Sequence, residues 1–173
     1  MTGRILFDEA LTAWEYARRS LIAEAEVVPD DGYAFRPAPG SRSYRDLLWH
    51  VVESGCMMAG ELSRADGDFT RKPFPELVAE HTAHLSRVEE PAELRALLER
   101  TLEDGLDRLR EAGEIHMLER IRQFDGEHST RLSWMHHGIA HEEYHRGQAA
   151  LYARLQGIVP ALTRAIHGED GEE

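Results

Sequence analysis

The sequence is short of cysteine, of lysine and of long apolar runs. Its single cysteine, Cys56, excludes an intrachain disulfide and suits a reducing compartment, so the cytoplasm is the expected location. Lys72 is the one lysine beside nineteen arginines, which we read as a bias toward GC-rich codons without mechanistic meaning. No apolar stretch approaches the roughly 18–20 residues that a membrane-spanning helix needs. Asp8 and Glu9 interrupt the N-terminal segment before it could form the apolar core of a secretion signal. Basic side chains are outnumbered, 20 Lys and Arg against 32 Asp and Glu, giving a formal charge of −12. Such a surface cannot replace phosphate counterions, which argues against sequence-independent nucleic-acid binding. A strand pattern able to compete with the helical ones is missing as well.

What is present is helical periodicity. With 173 residues, 42% of them hydrophobic, the chain can bury a core of its own. The first helix is predicted from about Arg4 to Val28, with Phe7, Leu11, Trp14, Leu21, Ala25 and Val28 on one stripe. Residues 29–32 end it, and residues 33–40, containing Pro37 and Pro39, are expected to be an extended connector. Ser43, with Asp46 three residues later, offers a capping box for a second helix. That helix carries Leu47, His50, Val51, Ser54, Met58 and Leu62 and is expected to stop near Asp66 and Gly67. Pro75 can open a short helix through Leu77, Val78, His81 and Leu85. Pro91 opens a third long helix, with Leu94, Leu98, Thr101, Leu102, Leu106 and Leu109 in phase as far as Gly113. Residues 114–129 are a connector with room for helical or short extended pieces. Ser129 or Thr130 caps a fourth long helix that runs to Leu155 and ends at Gly157, suited to the C′ position. A short helix can follow Pro160. Four amphipathic helices of this length, with no linker between them, predict an all-α helix bundle as a single domain over residues 1–168. The acidic residues 169–173 are expected to be a disordered tail.

The chemistry concentrates on the last long helix. His141 and His145 are four residues apart, about 40° around the axis at ~100° per residue, and can present two imidazoles to one ion. Neutral imidazole suits Zn, Ni, Fe or Cu, whereas Mg and Ca want oxygen. His50, on a helix whose apolar neighbours face the bundle, is the preferred third ligand. His137 and His141 form a competing pair on the same helix, and ordinary core or surface roles for each histidine are the bland alternative. Asp46 and Glu53 flank His50 on its side of the helix; either could orient its ring, and solvated helix charges are the bland alternative for both. His136, His81, His84, His116, His128 and His167 read as polar contacts or surface histidines, and Cys56 as a small buried hydrophobe. The literal zincin pattern of His141, Glu142 and His145 admits a peptidase with Glu142 as general base. Against it, Glu142 lies about 100° from His141 and no strand is available to align a peptide.

Three stretches carry a resemblance to a known family: Tyr33 to Ser43; Leu47 to Ser54, which contains His50; and His141 to Gln148 (His-Glu-Glu-Tyr-His-Arg-Gly-Gln), continuing through Leu155, Gly157 and Pro160. In these the chain resembles the DinB-like, or YfiT-like, superfamily of metal-dependent hydrolases. The resemblance implies His50, His141 and His145 as a metal triad, a divalent transition metal such as Zn, Ni or Fe, and an antiparallel four-helix bundle that forms homodimers. Relatives include S-transferases that use a low-molecular-weight thiol, so it also implies a small-molecule substrate and a transferase or hydrolase reaction. A non-catalytic bundle that binds metal in a stress response is the alternative from a different class.

Overall fold

A computed structural model describes residues 5–168; Arg4 and the acidic tail 169–173 lie outside the described residues. Helix α1 (Ile5–Glu26) buries Phe7, Leu11, Trp14, Leu21 and Ala25, as the apolar stripe requires. The stretch expected to be extended begins instead with a 3-10 turn, Asp30–Ala34. Tyr33 drives this difference: its ring is buried and its hydroxyl donates to the Ala25 carbonyl at 2.8 Å.

Helix α2 (Tyr44–Leu62) opens with the expected capping box. The Asp46 amide donates to Ser43 Oγ at 3.1 Å, and the Ser43 amide donates to the Asp46 carboxylate at 3.3 Å. The helix stops at Leu62, earlier than periodicity suggests, because the carbonyl of Leu62 and one just beyond it are claimed from elsewhere. Arg131 Nε donates to the Leu62 carbonyl at 3.1 Å and Arg131 Nη2 to that of Arg64 at 2.8 Å. Helix α3 (Phe74–Thr82) carries Pro75 in its first turn, and α4 (Pro91–Leu118) begins on Pro91. Gly113, at φ 82°, breaks the helical path where the sequence places its end. Beyond α4, β1 (Arg120–Arg122) and β2 (His128–Thr130) pair antiparallel as a small hairpin. Helix α5 (Arg131–Leu155) is capped by Thr130, whose hydroxyl accepts from the Ser133 amide at 3.1 Å. It ends before Gly157, at φ 75°. The short α6 (Ala161–His167) follows. Its first amides, of Ala161 and Leu162, donate to the buried Glu24 carboxylate at 2.8 and 3.2 Å.

The chain is a four-helix bundle in which α1 and α2 occupy opposite corners. Each packs against both α4 and α5, and α3 lies on α2. Among the described residues no helix is long and apolar enough to cross a membrane.

The buried apolar side chains form two clusters. One gathers Leu21, Tyr33, Tyr44, Leu48 and Leu98, the other Phe7, Trp14, Met58, Leu102 and Met135. Arg18 and Glu142, 0% and 2% exposed, belong to neither. Arg18 reaches all four long helices: its guanidinium donates to both Glu142 oxygens (2.7 and 2.8 Å), to the Leu98 carbonyl and Thr101 Oγ1, and to the Val51 carbonyl. Trp14 Nε1 also donates to Glu142, at 2.6 Å. Gly55 makes room for this layer, since a Cβ there would overlap the Arg18 guanidinium.

Candidate metal centre

His50 is carried by α2, and His141 and His145 by α5; these two helices pack directly against each other. The i,i+4 spacing stacks the α5 imidazoles on one face, and α2 supplies the third ring across the interface. The rings converge through their Nε2 atoms. His50 Nε2 lies 3.3 Å and His145 Nε2 3.1 Å from His141 Nε2. One nitrogen from each of the three lies within 4.8 Å of the other two. No other His, Cys, Asp or Glu joins this group among the described residues. Nitrogens about 2.0–2.1 Å from a tetrahedral zinc ion stand roughly 3.3 Å apart, so the observed spacing fits such an ion. The donor set points the same way, because three neutral rings cannot satisfy one another's Nε2 atoms, whereas a shared cation would satisfy all three.

Electrostatics keeps the rings neutral. Burial, then the charge of Arg42 and the other two rings, pushes His50 down to about 4. Burial, followed by His145, His137 and Arg42, pushes His141 down to about 4 as well. Burial lowers His145 too, against the hydrogen bond to Gln148 that raises it. At neutral pH the lone pairs are therefore free of protons. Gln148 fixes one tautomer: its Oε1 accepts from His145 Nδ1 at 2.8 Å, which directs the Nε2 lone pair into the cluster.

Several expectations for neighbouring residues are corrected. Asp46 does not serve His50, since its carboxylate is taken by the α2 capping box, by Arg36 at 2.7 Å and by Arg87. Glu53 makes no hydrogen bond to His50 among the described contacts. Gln148, three residues after His145 on α5, is the orienting partner, and its i,i+3 spacing was the available signal. His137 does not join the cluster; it stacks on Trp134, with ring centroids 4.5 Å apart. Two histidines read as surface residues are built into the structure. His81 Nε2 contacts the buried Glu61 carboxylate at 2.6 Å, and His116 Nε2 contacts the Leu62 carbonyl at 2.9 Å. Glu142 is held by Arg18 and Trp14 in the buried polar layer, which removes it as the free general base that a zincin needs.

A family model described as the DinB superfamily matches residues 13–149, a span that includes all three histidines. No curated protein matches the chain. Among solved structures, the DinB-like protein YjoA of Bacillus subtilis superimposes with a TM-score of 0.66 at 19% identity, covering 86% of this chain and 92% of its own. YfiT of Bacillus subtilis, described as a probable metal-dependent hydrolase with an unusual four-helix bundle topology, gives 0.67 at 15% identity, over 91% and 90%. A mycothiol-dependent maleylpyruvate isomerase gives 0.61 at 17% identity, over 80% of this chain and 58% of its own. At such identities the likeness is one of fold.

Proposed function

From the premise that this chain belongs to the DinB superfamily, we propose that it is a metal-dependent enzyme acting on a small molecule, with His50, His141 and His145 as the ligands. A low-molecular-weight-thiol S-transferase is the leading reaction and hydrolysis its close relative. The observation that carries this reading is the convergence of three neutral imidazoles, with no fourth protein ligand in the group among the described residues. A divalent transition metal such as Zn, Ni or Fe would supply Lewis-acid chemistry there, lowering the pKa of a thiol or a water that it coordinates.

The chain's own residues perform the rest. Gln148 holds the Nδ1 proton of His145 and keeps its Nε2 available. Arg18 and Glu142 fix the α5 backbone between His141 and His145 against the other long helices. Arg42, exposed and close enough to bias all three rings, adds positive potential at the site. That potential favours an anionic reactant or an anionic state of one. The thiol is supported by the fold shared with a mycothiol-dependent isomerase, and hydrolysis by the likeness to YfiT. The cytoplasm is the proposed compartment, and a homodimer the proposed assembly. Exposed Leu151 and Leu155 of α5 and Leu162 and Ile166 of α6 supply apolar surface for such an interface.

The test is a panel of low-molecular-weight thiols with a generic electrophile, beside a panel of simple esters, on the metal-loaded protein and its His145→Ala variant. Thiol conjugation lost in the variant supports the transferase, and ester cleavage lost in it supports the hydrolase. Full metal loading with no turnover in either panel favours the non-catalytic alternative.

A further inference from the structure

A cavity of about 180 Å³ opens beside the histidine cluster, with His141 itself in its wall. Its floor is Met57 and Met58 of α2, and Trp134 of α5 forms one side. The roof is made by parts of the chain outside the four long helices: Phe74 at the start of α3 and Phe124 in the β1–β2 turn. Phe124 meets Phe74 edge-on and Trp134 at a tilt. Phe74 and Phe124 are 5.4 Å apart at 72°, and Phe124 and Trp134 are 5.6 Å apart at 59°. Phe74 is 45% exposed, so its ring lies at the surface end of the cavity.

The polar groups in the wall are mostly committed. Glu142 belongs to Arg18 and Trp14, and the Ser54 hydroxyl donates to the Val51 carbonyl at 3.2 Å. Two imidazoles remain in the wall: His137 is stacked on Trp134, and His141, the one that belongs to the metal cluster, is the chemically active end of a mainly apolar space. An apolar cavity of roughly 150 Å³ accepts a benzene molecule, so this volume matches one ring with a small substituent. Aromatic edges and methionine sulfurs suit the face and rim of such a ring.

We propose that this cavity seats the organic substrate of the metal centre, and that this substrate carries a single aromatic ring, or an apolar group of that size. The ring lies among Phe74, Phe124 and Trp134, with the reacting group directed at His141. The assignment rests on the metal-centre reading above.

Two chelating probes that differ only by the ring test it: acetohydroxamic acid and benzohydroxamic acid, titrated calorimetrically into the zinc-loaded chain. Benzohydroxamate is expected to bind roughly tenfold or more tightly than acetohydroxamate, the effect of burying one ring. Ser54→Met, which fills the cavity from α2, should abolish that advantage while acetohydroxamate binding stays. Phe124→Ala, on the hairpin at the edge of the second apolar cluster, should reduce the advantage severalfold and serves if the first variant fails to fold. Equal affinities in the native protein, or a ring advantage untouched by either variant, overturn the cavity assignment and leave the metal centre standing. If neither probe binds the zinc-treated protein, the metal-centre reading fails and the cavity assignment falls with it.

Discussion

Gln148 and Arg18 act on the site at the residue scale without belonging to the histidine cluster. Gln148 is expected to set the affinity for metal through the tautomer of His145. Gln148→Ala should weaken binding by about 10–100-fold in a competition with a coloured chelator; an unchanged affinity would remove its orienting role. Arg18 and Glu142 are a fully buried pair, so truncating one partner leaves an unpaired charge in the core. Arg18→Met should lower the unfolding free energy by about 3–5 kcal/mol in a urea titration, and Arg18→Met with Glu142→Leu should recover much of it. A double variant as unstable as the single one would show that the hydrogen bonds to Leu98, Thr101 and Val51 matter more than the ion pair. The histidine pair was legible because its spacing is local. The Arg18–Glu142 pair was not, because its members are 124 residues apart. Its trace is a lone arginine four residues after Trp14, on the apolar stripe of α1.

Among the elements, helix ends decide more than helix interiors. Arg131, at the start of α5, is buried against the carbonyl that ends α2 and one just beyond it, where a cation meets the negative end of the helix dipole. Arg131→Met should cost about 1.5–3 kcal/mol, the range for hydrogen bonds from a charged donor, and raise amide exchange in the last turn of α2. Glu61, also on α2, ties that helix to α3. Burial acts to raise its carboxyl, but hydrogen bonds from His81 and Arg71 outweigh burial and hold it below its ordinary value. A lowered carboxylate contributes stability that is complete above its unfolded value, about 4.3 for Glu, and is lost as pH falls toward the folded value. Glu61→Gln should therefore shrink the stability difference between pH 6 and pH 3, measured by urea unfolding at each (roughly the window that the shift defines). An unchanged difference would contradict the assignment. Helices α1, α2 and α4 were readable because each repeats its apolar residues over several turns, and α5 because a cap at Thr130 and Gly157 beyond its end bound it. The hairpin was readable only as room for short extended pieces in the connector, since strands of three residues are too short to show alternation. The early end of α2 was hidden for another reason: the residue that ends it, Arg131, lies far along the chain.

At the scale of the whole molecule, two apolar clusters lie along one bundle with the Arg18–Glu142 pair outside both, and the histidine cluster joins α2 to α5. Stability and metal binding are then largely separable. The apolar clusters hold the bundle, and the histidines add a site whose neutral rings cost little to assemble at pH 7. Chelator treatment, or His141→Ala, should leave the helical circular dichroism nearly intact; collapse of the helical signal would make the ion structural. The central claim is that His50, His141 and His145 together hold one ion. Its most direct test is the metal content, by mass spectrometry, of the native chain and of His50→Ala, His141→Ala and His145→Ala after equilibration with zinc and desalting. The expected result is about one equivalent in the native protein and little in each variant. A native chain that retains no zinc, or variants that retain as much as it does, would contradict the claim.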